Sequence, residues 1–341
     1  MTLDPTMPDG SFKHFHAAHC ESGVTSSLLN NIGVSISEAM CLGIGSGLFF
    51  VYAPFVKVMG LPLISFRSFP GTIFQKTCKR LGISYSKERF LWKESGIRRL
   101  DQLADRDQSV GIQTNIFWLP YVPRRFRFHF NAHNIIVFGK DEAGAYRVSD
   151  PCLEETVTCQ KEAINRARFS RGPLAPRGLI YYPKDATETS ANLKSAIKAG
   201  IRQTCRSMLG PRVPYLGVRG INFLGQQLAV WPDKIKDEDT LYQYLASIVR
   251  MQEEVGTGGA GFRYLYASFL QESGRILASP ELAEASMMIE EVGDQWRHFG
   301  TEAARTCKKR EIGNFPKLGE ILRNISNSEK QFYLFLQERC L

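Results

Sequence analysis

The stretch HNIIVFGKDEAGAYRVSD, residues 133–150, decides how the N-terminal half is read. HNIIVFG and AYRVSD are rich in β-branched and aromatic residues, and the polar KDEA between them suits a turn. If the two runs pair so that Gly139 faces Gly144, the same register sets His133 directly opposite Asp150 on one face of the sheet, with Cβ atoms ~4.5–5.5 Å apart. A one-residue slip would send the two side chains to opposite faces, so the inference rests on the loop. A structural histidine and an ordinary strand-ending Asp-Pro turn at Asp150-Pro151 are the alternatives.

Outward from this hairpin, GIQTNIFWL, FRFHFN and LIYYP complete a set of strand-like runs between residues 111 and 183. Upstream, Val24, Leu28, Leu29 and Ile32 recur at helical spacing, predicting a helix over residues 20–32 that Gly33 terminates. A second short helix is expected from Ser37 to about Gly43, with Glu38 in its first turn, where the helix dipole favours a carboxylate. Residues 71–82 read as a helix, followed by a polar helical stretch to about Gln108. GIGSG, residues 43–47, leads into LFFVYA and not into a helix, so it reads as a turn and not as a phosphate loop.

KDATETS, residues 184–190, suits a linker, and the chain beyond it is mostly helical: LYQYLASIVRMQEE and PELAEASMMIEEVGDQWRHFG carry apolar residues every three or four positions. The expected organisation is therefore two domains, 1–187 and 188–341. The chain has 341 residues, beyond the roughly 250–300 at which one core stops growing. The fold class is α+β. GTGGAGFRYLYASFL, residues 256–270, joins a glycine-rich turn to a helix.

Cys20 would open the first helix, where unpaired backbone N–H groups favour a thiolate. A base at His133 and an orienting carboxylate at Asp150 would complete a nucleophile, base and orienter. A buried apolar cysteine is the plainer alternative. His14, His16 and His19 adjoin Cys20, but no carboxylate stands near them. The eight cysteines are scattered and closely spaced Cys/His ligand pairs do not recur along the chain, so neither metal nor cofactor is expected.

The formal charge of +9 gathers partly in Pro123–Arg127 and in Arg166–Arg177. No nucleic-acid motif accompanies it; a solvated basic face and the docking of an acidic carrier protein are the two readings. No apolar run approaches the ~20 residues of a membrane span, and MTLDPTMPDGSFKHFHAAH is too polar for a secretory signal, so a cytoplasmic location is expected.

HCESGVTSSLLNNIGVSISEAMCLGIGSGLFF (19–50), IFWLPY (116–121) and HNIIVFGKDEAGAYRVSDP (133–151) resemble the N-terminal domain of the butirosin biosynthesis protein H family. GTGGAGFRYLYASFL resembles the helical domain of unknown function that follows it in many relatives. That family is similar to papain-like cysteine peptidases, particularly the bacteriocin-processing branch, with a Cys, His, Asp order that Cys20, His133 and Asp150 match. The resemblance implies a papain-like fold and transfer of an acyl group from a carrier-protein thioester to a small amine. The same triad would equally serve a peptidase or amidase, or be retained in a non-catalytic binding protein. Papain-like peptidases place a Gln before the nucleophile to build the oxyanion hole, and no Gln precedes Cys20. The Cys20 N–H and Asn115 are candidate donors instead. Glu38 and Tyr121 match motif positions of the family and are candidates for lining the site.

Overall fold

The computed structural model describes residues 12–185 and 189–340, so part of the expected linker, residues 186–188, lies outside the described residues, as do residues 1–11. In chain order the elements are α1 (Cys20–Asn30), α2 (Glu38–Ile44), β1 (Leu48–Val58), β2 (Leu61–Arg67), α3 (Ile73–Leu81), β3 (Ser84–Glu88), α4 (Lys93–Ala104), β4 (Val110–Thr114), β5 (His133–Lys140), β6 (Tyr146–Ser149), β7 (Val157–Cys159), α5 (Lys161–Arg168) and β8 (Ile180–Asp185). Six further helices follow: α6 (Thr189–Leu209), α7 (Gly217–Lys234), α8 (Glu238–Val249), α9 (Arg263–Leu277), α10 (Pro280–Lys309) and α11 (Phe315–Arg339). The chain is thus mixed α and β, with a sheet-containing N-terminal region and a helical C-terminal region. No helix among the described residues is long and apolar enough to cross a membrane.

The chain separates into two compact units, Met1–Cys41 with Pro70–Leu193, and Leu42–Phe69 with Lys194–Leu341. The expected division at residue 187 differs from this: the β1–β2 hairpin, counted with the N-terminal domain, packs among the helices of the second unit. The cause is aromatic. Phe50 and Phe66 of the hairpin lie 5.9 and 5.2 Å from the Trp296 ring, and Tyr52 lies 6.4 Å from Trp231, so the hairpin's apolar face is covered by helices α7 and α10. Beneath them the fully buried Arg263 and Glu329 pair at 2.7 Å, and Trp296 Nε1 donates to the same carboxylate oxygen at 2.7 Å.

In the first unit a six-stranded sheet runs β3-β8-β4-β5-β6-β7. Val110, Ile112, Ile135, Val137, Tyr146 and Val148 form a core with Leu100, Leu103 and Ala104 of α4 and with Ile164 and Ala167 of α5. Helix α1 packs against β5, β4 and β8. All its residues from Cys20 to Leu29 are buried, which suits the small side chains of CESGVTSSLL.

Three expectations are corrected here. The polar stretch after α3 is not continuously helical: it contains β3, which pairs with β8. GIQTNIFWL is a strand only to Thr114, and FRFHFN is not a strand. Because β4 and β5 are antiparallel neighbours, pairing Thr114 with His133, the chain between them is a connection with no slot in the sheet. Finally, the β5–β6 hairpin pairs Ile136 with Ser149 and Val137 with Val148, displaced by two residues from the expected register. Gly139, at φ 140°, sits in the irregularity between Val137 and Lys140; a Cβ there would lie 2.3 Å from Asp107 Oδ1. The turn is closed by Asp141, whose carboxylate accepts the Ala145 N–H at 2.8 Å. Displacement by two keeps side-chain parity, so no face is exchanged.

Candidate active site

The site begins at the start of α1. His19 has extended backbone angles and caps the helix, its Nδ1 accepting from the Ser22 N–H at 3.3 Å. That makes Cys20 the first helical residue, as the sequence pattern predicts. The preceding backbone is held by Glu38, whose carboxylate accepts from the N–H groups of Ala18 (3.0 Å) and His19 (2.7 Å) and from the Ser22 hydroxyl (3.1 Å). Burial raises the Glu38 pKa even against these bonds. Glu38 therefore anchors the segment that presents Cys20, where a helix cap or a lining residue is expected from sequence.

Gly23 brings the two halves of the site together. A Cβ at this position would meet Ala17 Cβ at 2.5 Å and Pro151 Cβ at 3.0 Å, and the Ala17 N–H donates to the Pro151 carbonyl at 2.8 Å. The turn after β6 can thus lie against the first turn of α1.

Asp150 follows directly on β6 and His133 begins β5, and their side chains meet, His133 Nε2 to Asp150 Oδ2, at 2.7 Å. They are offset along the hairpin and not directly opposite, because of the two-residue displacement. Both are buried. Burial opposes charge on the imidazole, but the Asp150 carboxylate and Cys20 outweigh it and push the His133 pKa up to about 10. Asp150 is held below its usual value in spite of burial, by His133, by the Cys152 N–H at 3.0 Å and by the Tyr121 hydroxyl at 3.1 Å. A carboxylate with three donors around it is an ionised one. Since Asp150 takes Nε2, the interaction of His133 with Cys20 falls to Nδ1. Tyr121, expected to line the site, instead fixes Asp150.

The Cys20 thiol is buried and donates to the Ala132 carbonyl at 3.8 Å. Asn134 Nδ2 stands 3.9 Å from the sulfur, while its Oδ1 accepts from the Tyr181 hydroxyl at 2.8 Å. Sequence reasoning missed Asn134; the signal was a second polar residue, next to His133, at the head of the apolar run of β5. It favoured Asn115 instead, and there the structure engages the side chain elsewhere. Asn115 caps a short 3-10 turn at Ile116–Trp118, and its Nδ2 donates to Asn131 Oδ1 (2.8 Å) and Ser170 Oγ (2.9 Å), using both hydrogens. Asn115 is itself buried. Glu21, another missed residue, accepts from the N–H groups of Gly71 (2.9 Å) and Ile73 (2.8 Å), pinning the start of α3 to α1.

The histidines before Cys20 are separately engaged. The His14 ring bonds Ser149 Oγ at 2.7 Å and the Leu153 carbonyl at 3.0 Å, while His16 lies 3.9 Å from Glu154.

Residues 19–151 match the family described as butirosin biosynthesis protein H, N-terminal, and residues 162–336 match a domain of unknown function (DUF4872). The second match begins inside α5, so it includes β8, a strand of the sheet that carries His133. No curated protein matches the chain.

Proposed function

The chain belongs to the DUF4872 family and carries that domain behind one of the butirosin biosynthesis protein H type; from this we propose that it is a biosynthetic cysteine-dependent acyltransferase. The observation that carries the proposal is the buried His133–Asp150 ion pair beside a cysteine at a helix N-terminus. An imidazolium and the N-terminal end of α1 both favour a thiolate at Cys20.

The thiolate attacks the thioester carbonyl, the C–S bond to the donor breaks, and the departing thiol takes the proton from His133 Nδ1. An amine then attacks the acyl-enzyme, gives its proton to His133, and releases the Cys20 thiolate with the amide formed. Asp150 keeps the imidazole oriented and stabilises its charged form, and Tyr121 and the Cys152 N–H keep Asp150 in place. The Cys20 N–H and Asn134 Nδ2, which stands 3.9 Å from the sulfur and spends one hydrogen on the Ala132 carbonyl at 3.0 Å, take the oxyanion role.

A basic pocket supports an acidic acyl carrier protein as the donor. Arg124, Arg127 and Arg166 line a cavity of about 540 Å³ with Phe117, Trp118 and Pro120. Arg166 stacks on Trp118 at 3.4 Å, and none of the three arginines pairs with a carboxylate among the described residues. Glu162 lines the same pocket, and Arg127 donates to the Val122 and Pro120 carbonyls, so three arginines against one carboxylate leave a net positive lining that favours an anionic partner.

Product analysis tests the reaction type. Purified protein, an acyl thioester and a panel of small amines should yield amide in excess of free acid. Free acid alone across the panel, with peptides or amides cleaved, would replace the transferase by a hydrolase.

A further inference from the structure

The mechanism above uses only the backbone N–H of Cys152, yet its sulfur sits among the residues that carry the chemistry. It is exposed and lies two residues after Asp150. One ligand atom each from His133, Asp150 and Cys152 lies within 4.8 Å of the others. Nitrogen, oxygen and sulfur donors converge there from the start of β5 and the turn after β6. They are too far apart in sequence to show as ligand spacing.

We propose that these three side chains form a binding site for a soft divalent cation of the zinc class, and that its occupation silences the enzyme. Around a tetrahedral zinc, ligand atoms at ~2.0–2.3 Å from the ion stand about 3.3–3.8 Å from one another. The cluster reaches that spacing by a modest closing of the Cys152 side chain and an opening of the 2.7 Å His133–Asp150 contact. The fourth position falls to water, as in open three-ligand sites.

The balance is plain. The cation replaces the proton shared by His133 Nε2 and Asp150 Oδ2 and the thiol proton of Cys152, and both protons go to solvent. An imidazole with metal on Nε2 and hydrogen on Nδ1 is neutral and has no lone pair free to take a proton from an amine. Asp150, now a metal ligand, no longer stabilises an imidazolium. Binding follows from the ligand geometry alone; the silencing rests on the acyl-transfer reading above.

Equilibrium dialysis against buffered Zn²⁺, with metal analysis, tests the site on wild type, Cys152→Ser and Cys20→Ser. Wild type and Cys20→Ser should each hold one zinc per chain. Cys152→Ser should bind it more weakly by at least the 10–100-fold that a lost outer-shell partner costs. Zinc should stop acylation of Cys20 in wild type and not in Cys152→Ser, each rate being compared with that of the same protein free of zinc. The site is overturned if Cys152→Ser binds zinc as tightly as wild type, if Cys20→Ser loses it, or if wild type takes none at micromolar free zinc. Zinc binding as expected, with no acylation of zinc-free protein by any thioester, would uphold the site and sink the acyl-transfer reading.

Discussion

Replacing Asp150 by asparagine should slow alkylation of Cys20 at neutral pH by about 30-fold. The carboxylate is the largest of the influences that raise the His133 pKa, and it acts against burial, which lowers it. With the charge gone, burial governs the imidazole, which becomes neutral at pH 7 and no longer holds Cys20 as a thiolate. An unassisted thiol with a pKa of ~8.5 is only about 3% ionised at pH 7, hence the ~30-fold loss relative to a fully ionised one. The asparagine Oδ1 can still accept from the Cys152 N–H, and its Nδ2, in the place of Asp150 Oδ2, can donate to the Tyr121 hydroxyl oxygen or to Nε2 of the neutral imidazole, so the fold should survive. The assay is the second-order rate of iodoacetamide labelling, followed by peptide mapping, from pH 6 to pH 9. Wild type should be nearly flat, and Asp150→Asn should rise about tenfold per pH unit toward ~8.5. A flat profile at the wild-type rate in Asp150→Asn would refute the argument that Asp150 charges His133.

The same mapping should label Cys20 ahead of Cys78 and Cys205, whose thiols burial pushes up to about 12, and preferential labelling of either would count against the nucleophile. Thermal unfolding should show wild type more stable than Asp150→Asn between about pH 4 and 6.5. Asp150's lowered pKa makes its contribution present above its unfolded value and lost in acid, and His133's raised pKa makes its contribution fade as pH climbs toward about 10. A pH-independent difference in melting temperature would contradict that linkage. Steady-state kinetics should show Arg166→Glu raising KM for a carrier-borne donor while sparing a small free thioester; equal effects on both would remove the pocket from carrier docking.

How much of this was legible in sequence varied with the range of the interaction. Cys20 at a helix start followed from the apolar spacing of Val24, Leu28 and Leu29, a local signal. His133 and Asp150 were legible as hairpin partners, but their register was not. It depends on the irregularity at Gly139, under the Arg147–Asp107 ion pair, and on a turn closed by the Asp141 side chain, and neither has a one-dimensional signature. Alternation still carried the conclusion, because a displacement by two leaves each side chain on its face. FRFHFN looked like a strand because its aromatics are strand formers, yet Ile116 N–H bonds the Phe130 carbonyl at 3.1 Å in a connection outside the sheet. Propensity was overridden by strand order. The membership of the β1–β2 hairpin in the helical unit was illegible for the same reason: its aromatic face meets Trp231 and Trp296, which lie far along the chain.

The most direct test of the central claim is intact-mass analysis after mixing the protein with an acyl thioester. Wild type should gain one acyl group, mapped to the Cys20 peptide, and Cys20→Ala should gain none. An adduct that persists in Cys20→Ala, or no adduct in wild type with carrier-borne and free thioesters alike, would contradict the account.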